Sequence, residues 1–165
     1  QTKRFDMAKQ LFQKATQINP DYAAAHNNLG VTLKELGEHQ KARSCFQKAI
    51  EIQPVYAAAH NNLGAVLKEL NEYEQALTCY KKAIQINPNY VDAYTNLGMI
   101  LEELKYIYEA KKYYELALNL DPNEKKACIG YGKVLLELNQ HNKALAYIDK
   151  GAGIIKFTQK DVKII

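Results

Sequence analysis

One interval, the distance from Pro20 to Pro54, governs this chain. Pro20, Pro54, Pro88 and Pro122 are all its prolines, and they are evenly spaced. Gly30, Gly64, Gly98 and Gly132 keep the same interval, as do Leu29, Leu63 and Leu97, followed by Tyr131. Residues 23–56 and 57–90 are identical at 21 of 34 positions. A repeat of this length marks an array of small units, each unable to bury its apolar face without a stacked neighbour.

Each unit reads as two helices. Ala59, Leu63, Leu67 and Leu70 fall on one face of a helix over about 57–70, and Ala76, Leu77, Tyr80, Ala83 and Ile84 share a face over about 74–86. Between them Asn71 stands where a helix ends in a left-handed residue, as Gly37 and Asn139 do in sister units; Lys105 suits that place less well. Pro88 stops the second helix, and Tyr90 is placed to staple the start of the next. A glycine inside a helix costs about 1 kcal/mol relative to Ala. Its return in every repeat therefore predicts a contact that tolerates no larger side chain, with Leu63, Tyr80 and Ala83 filling the layer beside Gly64.

Composition narrows the function classes. Lys and Arg outnumber Asp and Glu by only 22 to 18, divided 11 to 8 up to and including residue 82 and 11 to 10 after it. No basic block points to nucleic acid, no apolar run is long enough to span a membrane, and no leader pattern opens the chain. The expected location is cytoplasmic. Cys45, Cys79 and Cys128 form an odd set without CxxC spacing, which reads as packed thiols rather than disulfides or a zinc site. His26 and His60 hold equivalent places and read as satisfied inter-helix residues; no metal motif accompanies them. Gly130 and Gly132 form a GxG only by accident, inside a predicted helix, and Glu102 and Glu103 read as a solvated helical face. No nucleophile stands beside a base, so no catalytic residue, metal or cofactor is expected and the chain reads as a non-enzyme.

The units resemble the tetratricopeptide repeat family. That pattern of a large residue, Leu-Gly, a large residue, Ala, an aromatic, Ala and Pro is met by His60, Leu63, Gly64, Leu67, Ala76, Tyr80, Ala83 and Pro88. Tyr94, Leu97, Gly98, Leu101, Ala110, Tyr114, Ala117 and Pro122 meet it again. The resemblance implies an all-α, right-handed superhelical solenoid of antiparallel helix pairs. Seven main helices are expected, one from the first half-repeat and two from each full repeat. The divisions are 1–22, a half repeat with only a second helix (about 6–18) cut from a longer array; full repeats at 23–56, 57–90 and 91–124; and a degenerate terminal repeat at 125–152, where Gly151 replaces the usual Ala and Lys156 the usual Pro. Residues 153–165 form an apolar tail, expected to cap the last pair or lead into a following domain. The unpartnered first helix is expected to expose Phe5, Leu11 or Phe12 and to self-associate weakly.

Stepping 100° per residue places a second stripe on each first helix, away from the leucines. It reads Ala24, Asn28, Val31, Glu35; Ala58, Asn62, Ala65, Glu69; Asp92, Asn96, Met99, Glu103; and Lys126, Gly130, Lys133, Glu137. In tetratricopeptide proteins these positions line the concave side and hold ligands. The resemblance thus implies a groove with a ladder of Asn28, Asn62 and Asn96 beside a row of glutamates, similar to the repeat domain of O-linked N-acetylglucosamine transferases. Such amides can pair with an extended peptide backbone, and the glutamates favour a basic ligand. Replacing all three asparagines by Ala is expected to leave the fold intact. A carboxylate clamp is not expected, because Ala24, Ala58 and Asp92 stand where basic residues are needed. Two functions follow: a scaffold binding a peptide segment in its groove, or the substrate-recruiting arm of a larger enzyme such as a glycosyltransferase.

Overall fold

The computed structural model describes residues 2–153, and these are all helix, turn and loop without a strand. In chain order the helices are α1 (Thr2–Ile18), α2 (Ala23–Glu35), α3 (His39–Ile52), α4 (Ala57–Glu69), α5 (Tyr73–Ile86), α6 (Val91–Glu103), α7 (Ile107–Leu120), α8 (Lys125–Glu137) and α9 (His141–Ala152). The described chain thus holds nine helices rather than seven, because the degenerate repeat forms a complete pair. The tail from residue 154 onward, with its expected capping role, lies outside the described residues.

Two compact units divide the chain inside α6, after Asn96. In the first, α1 packs on α2, α2 on α3, α3 on α4 and α4 on α5, and α2 also touches α4. In the second, α7 packs on α8 and α8 on α9. No described helix is long and apolar enough to cross a membrane.

The recurring glycines do what their spacing predicts. A Cβ on Gly30 would lie 2.7 Å from the Phe46 ring, one on Gly64 2.7 Å from Tyr80, and one on Gly98 2.8 Å from Tyr114. Each aromatic is buried to 1% exposure or less, so the missing methyl is what lets two helices close on a ring. Gly151 does likewise in the last pair, where a Cβ would meet the Lys125 carbonyl at 2.8 Å. It is a tighter fit of α9 on α8, not a decay.

Every first helix ends the same way. Gly37, Asn71, Lys105 and Asn139 have φ of 74°, 62°, 64° and 58°. Behind them the N–H groups of Glu38, Glu72, Tyr106 and Gln140 reach back to the carbonyls of Leu33, Leu67, Leu101 and Leu135 at 2.8–2.9 Å, closing a Schellman motif. Lys105 therefore takes the left-handed conformation its neighbours demand, against a cost of about 1–2 kcal/mol for a residue with a Cβ. The proline loops are shaped by side chains as well: Asn19, Asn87 and Asp121 accept the N–H of Asp21, Asn89 and Asn123, the turn chemistry typical of Asx-Pro.

On α1, Leu11 is exposed as expected, with Met7 and Ile18 more so, whereas Phe5 and Phe12 are half-buried against the rest of the first unit.

Candidate functional site

In the first unit the stripe lies on α2, α4 and the opening turns of α6. Asn28 is exposed, and Asn62 and Asn96 are half-buried. The Asn62 amide donates from Nδ2 to Asn27 Oδ1 at 3.0 Å, and Asn96 repeats this toward Asn61 Oδ1 at 3.0 Å. Both acceptors are buried, at 5% and 6% exposure. Asn27 Nδ2 passes the pattern on to Asn28 Oδ1 at 3.3 Å, and the Asn61 side chain also meets the Tyr90 hydroxyl. The expectation that no internal contact depends on the ladder is therefore corrected. A buried amide carbonyl must find a donor, and the ladder asparagine of the next repeat supplies it. Asn62 and Asn96 make no other side-chain hydrogen bond among the described residues, so each keeps its carbonyl oxygen and a second amide hydrogen. Their orientation is set before any ligand arrives, which lowers the ordering cost of binding.

The remaining stripe residues of this unit flank the amides. Val31 and Ala65 are half-buried, and Glu35, Glu69 and Asp92 are exposed, with Glu35 3.2 Å from Lys34. Thr95 is the counterpart of Asn27 and Asn61. It is 1% exposed, and its hydroxyl lacks a partner. Asn27 and Asn61 are each met by an asparagine one position beyond a full repeat, and for Thr95 that place is Gly130. A wider hollow of about 540 Å³ between α3, α4 and α5 lies off the stripe and gathers none of its residues.

The second unit brings four expected residues together. Met99, Glu103, Lys126 and Lys133 line one cavity of about 220 Å³, with Glu102, Tyr114, Ile129 and Gly130. Tyr114 is fully buried and donates its hydroxyl to Glu102 Oε2 at 2.7 Å. Burial and this carboxylate raise its pKa far above that of an ordinary tyrosine, so it remains a donor. A Cβ on Gly130 would fall 2.3 Å from Tyr114 Cζ, so only glycine lets α8 close on this buried ring. Sequence reasoning placed Gly130 on the stripe but missed Tyr114 and Glu102, which is half-buried rather than solvated. The available signal was the loss of the ladder asparagine at Gly130.

Outside the stripe, His26 and His60 are hydrogen-bonded, whereas the buried Nδ1 of His39 has no partner among the described residues. The ring N–H of His26 donates to the Pro20 carbonyl at 2.8 Å and that of His60 to Pro54 at 2.9 Å, as read from their equivalent places. All three cysteines are free; burial raises each thiol, Cys79 to about 11. Among the described residues no group of three His, Cys, Asp or Glu could hold a metal.

Comparison with known proteins agrees with this architecture. Sequence profiles described as Tetratricopeptide repeat match residues 1–54, 21–89 and 91–124. No curated protein sequence matches significantly. Among solved structures, PilF of Pseudomonas aeruginosa is similar with a TM-score of 0.84 and 27% identity, over 96% of this chain and 72% of that one. MamA follows at 0.78 and 23%, over 90% and 87%. YrrB, described as a TPR protein with an unusual peptide-binding site, is similar at 0.70 and 24%, over 96% and 80%. Repeats matched across most of its length and helix pairs of this geometry place one conclusion beyond the fold alone: this chain belongs to the tetratricopeptide repeat family.

Proposed function

We propose that this chain is a protein-interaction scaffold that holds an extended peptide segment against the first helices of its repeats. Asn28, Asn62 and Asn96 would pair with the peptide backbone, and Glu35, Glu69 and Asp92 would favour a ligand carrying Lys or Arg. The observation that carries this reading is the pair of 3.0 Å amide bonds from Asn62 and Asn96. They fix two ladder amides in one repeated orientation while leaving an acceptor and a donor on each. An extended chain presents N–H and C=O groups that such an amide can match without reading side chains. The peptide-binding site ascribed to YrrB supports the ligand class. The same face would serve a free-standing scaffold or the substrate-recruiting arm of a larger enzyme, like the asparagine-lined repeats of O-linked N-acetylglucosamine transferases. Weak self-association through Met7, Leu11 and Ile18 of α1 belongs to the same proposal, and light scattering over a concentration series tests it.

The experiment is selection of displayed random peptides on the whole chain, then anisotropy titration of a selected peptide against parent and an Asn28→Ala, Asn62→Ala, Asn96→Ala variant kept well below its melting temperature. A loss of about tenfold or more in affinity with helical signal retained supports the reading. Equal affinity contradicts it. Binding should weaken modestly with added salt, since the flanking carboxylates are exposed.

A further inference from the structure

We infer that the cavity of the second unit is a side-chain socket, and that it takes one isolated basic residue, best an arginine, of the peptide proposed above. The inference rests on that peptide-binding reading. At about 220 Å³ the cavity falls below the roughly 300–1,000 Å³ of small-molecule sites, so its occupant is the size of a side chain. Its apolar lining, Met99, Ile129 and the Tyr114 ring, suits the methylene stem of a long residue. Four charged residues surround it, and three of them, Glu103, Lys126 and Lys133, are exposed. Only Glu102 is partly buried, with one oxygen occupied by the Tyr114 hydroxyl at 2.7 Å.

A partly buried carboxylate with one lone-pair site filled and no ion pair asks for a positive partner. The planar guanidinium fork meets a carboxylate with directional, charge-assisted bonds. Gly130 adds no side chain to the cavity it lines. The asparagines at this position in the first unit cross to the preceding repeat, whereas this glycine lets α8 close on the buried Tyr114 ring, whose hydroxyl reaches Glu102. Lys126 and Lys133 stand four residues before and three after Gly130, on the same face of α8, and make no ion pair among the described residues. They repel a second positive charge, so the socket selects a single basic residue rather than a basic run.

The test is selection of displayed random peptides, about 12 residues long and ~40 Å when extended, on the whole parent chain and on Glu102→Gln. Glutamine still accepts the Tyr114 hydrogen bond, so the fold is kept, and thermal melts of the two proteins check this. The inference expects one basic position among peptides selected on the parent, absent from those selected on the variant. A parent-selected peptide should bind the variant about tenfold or more weakly, while its Arg→Leu analogue binds both alike. Peptides selected with the same preference on both proteins overturn the socket but leave peptide binding standing, as does an acidic position in place of the basic one. Failure of the parent chain to enrich any peptide overturns both readings.

Discussion

The two units treat one place in the repeat in opposite ways. In the first, a half-buried asparagine crosses from each first helix to a buried asparagine of the repeat before it, at 3.0 Å in both cases. In the second, that place is Gly130, where a Cβ would fall on the buried Tyr114 ring, and Tyr114 and Glu102, a pair 2.7 Å apart, line the adjoining cavity. The first-unit aromatics that meet a glycine at the place of Tyr114 are Phe46 and Tyr80, of which only Phe46 lacks a hydroxyl. One scaffold position thus carries either an asparagine that clasps the repeat before it or a glycine that closes on a ring, with the helix register untouched.

The largest effect that could break this comparison comes from the rings. Tyr114→Ala and Phe46→Ala should each destabilise by about 3–5 kcal/mol, since both side chains are fully buried. Tyr114→Phe separates the two positions. It removes only the bond to a half-buried carboxylate and should cost about 1.5–3 kcal/mol. Urea unfolding measures all three, and a neutral Tyr114→Phe would mean that the Glu102 contact stabilises nothing.

Next come the amides. Asn62→Ala leaves the buried Asn27 carbonyl without its donor and should cost about 1–3 kcal/mol. Thr95→Val, at the counterpart position where the buried hydroxyl has no partner, should instead stabilise, by up to about 1 kcal/mol. Opposite signs at equivalent sites would confirm that the clasp is energetic and not merely geometric. Destabilisation by Thr95→Val would count against it.

What could be read from the sequence divides along the same line. The helix pairs, the glycine beside each ring, and the satisfied roles of His26 and His60 were legible because each recurs from repeat to repeat and answers to a steric rule. The conformation of Gly37, Asn71 and Asn139 was legible from residue type. Lys105 was not, because its conformation is imposed by the backbone bonds closing around it. The ladder could be located but its role was half hidden. In the Asn27-Asn28 and Asn61-Asn62 pairs, periodicity shows which residue faces outward, but not that the outward one reaches back into the preceding repeat. Of the second-unit cavity the rim was legible, in Met99, Glu103, Lys126 and Lys133, but the Tyr114–Glu102 pair was not, since it arises from departures from the repeat, and a template detects what recurs.

The caps offer a smaller, cleaner contrast. Lys105→Gly should stabilise by about 1 kcal/mol by relieving a left-handed residue of its Cβ. Asn71→Gly should change stability by only a few tenths, as asparagine tolerates that conformation. Equal gains at both would show that the lysine is not strained.

The smallest effects concern acid. Lys41 and Lys9 hold the Glu38 carboxyl below its ordinary pKa in the first unit. In the second, burial pushes Glu115 up, but the Tyr131 hydroxyl at 2.6 Å and Lys111 at 3.2 Å outweigh it and the net shift is downward. A carboxyl lowered on folding contributes stability that is complete above its unfolded pKa, about 4.3, and is lost as pH falls through the folded value. Hydrogen exchange should therefore quicken in α1 and in α7 below that range. Glu38→Gln should abolish the acid dependence in α1 alone and Glu115→Gln that in α7 alone; unchanged profiles would remove these pairs from the account.

Asn28 allows the central claim to be tested without disturbing the clasp. It is exposed, and among the described residues its one side-chain hydrogen bond is the 3.3 Å bond it accepts from Asn27. Affinity of a selected peptide for Asn28→Ala, measured beside its melting curve, is the most direct measurement. The account predicts a stability change within about 0.5 kcal/mol, as for an ordinary surface substitution, together with a clear loss of affinity, about fivefold or more. Unchanged affinity at unchanged stability would contradict it, and the asparagines would then serve only to join one repeat to the next.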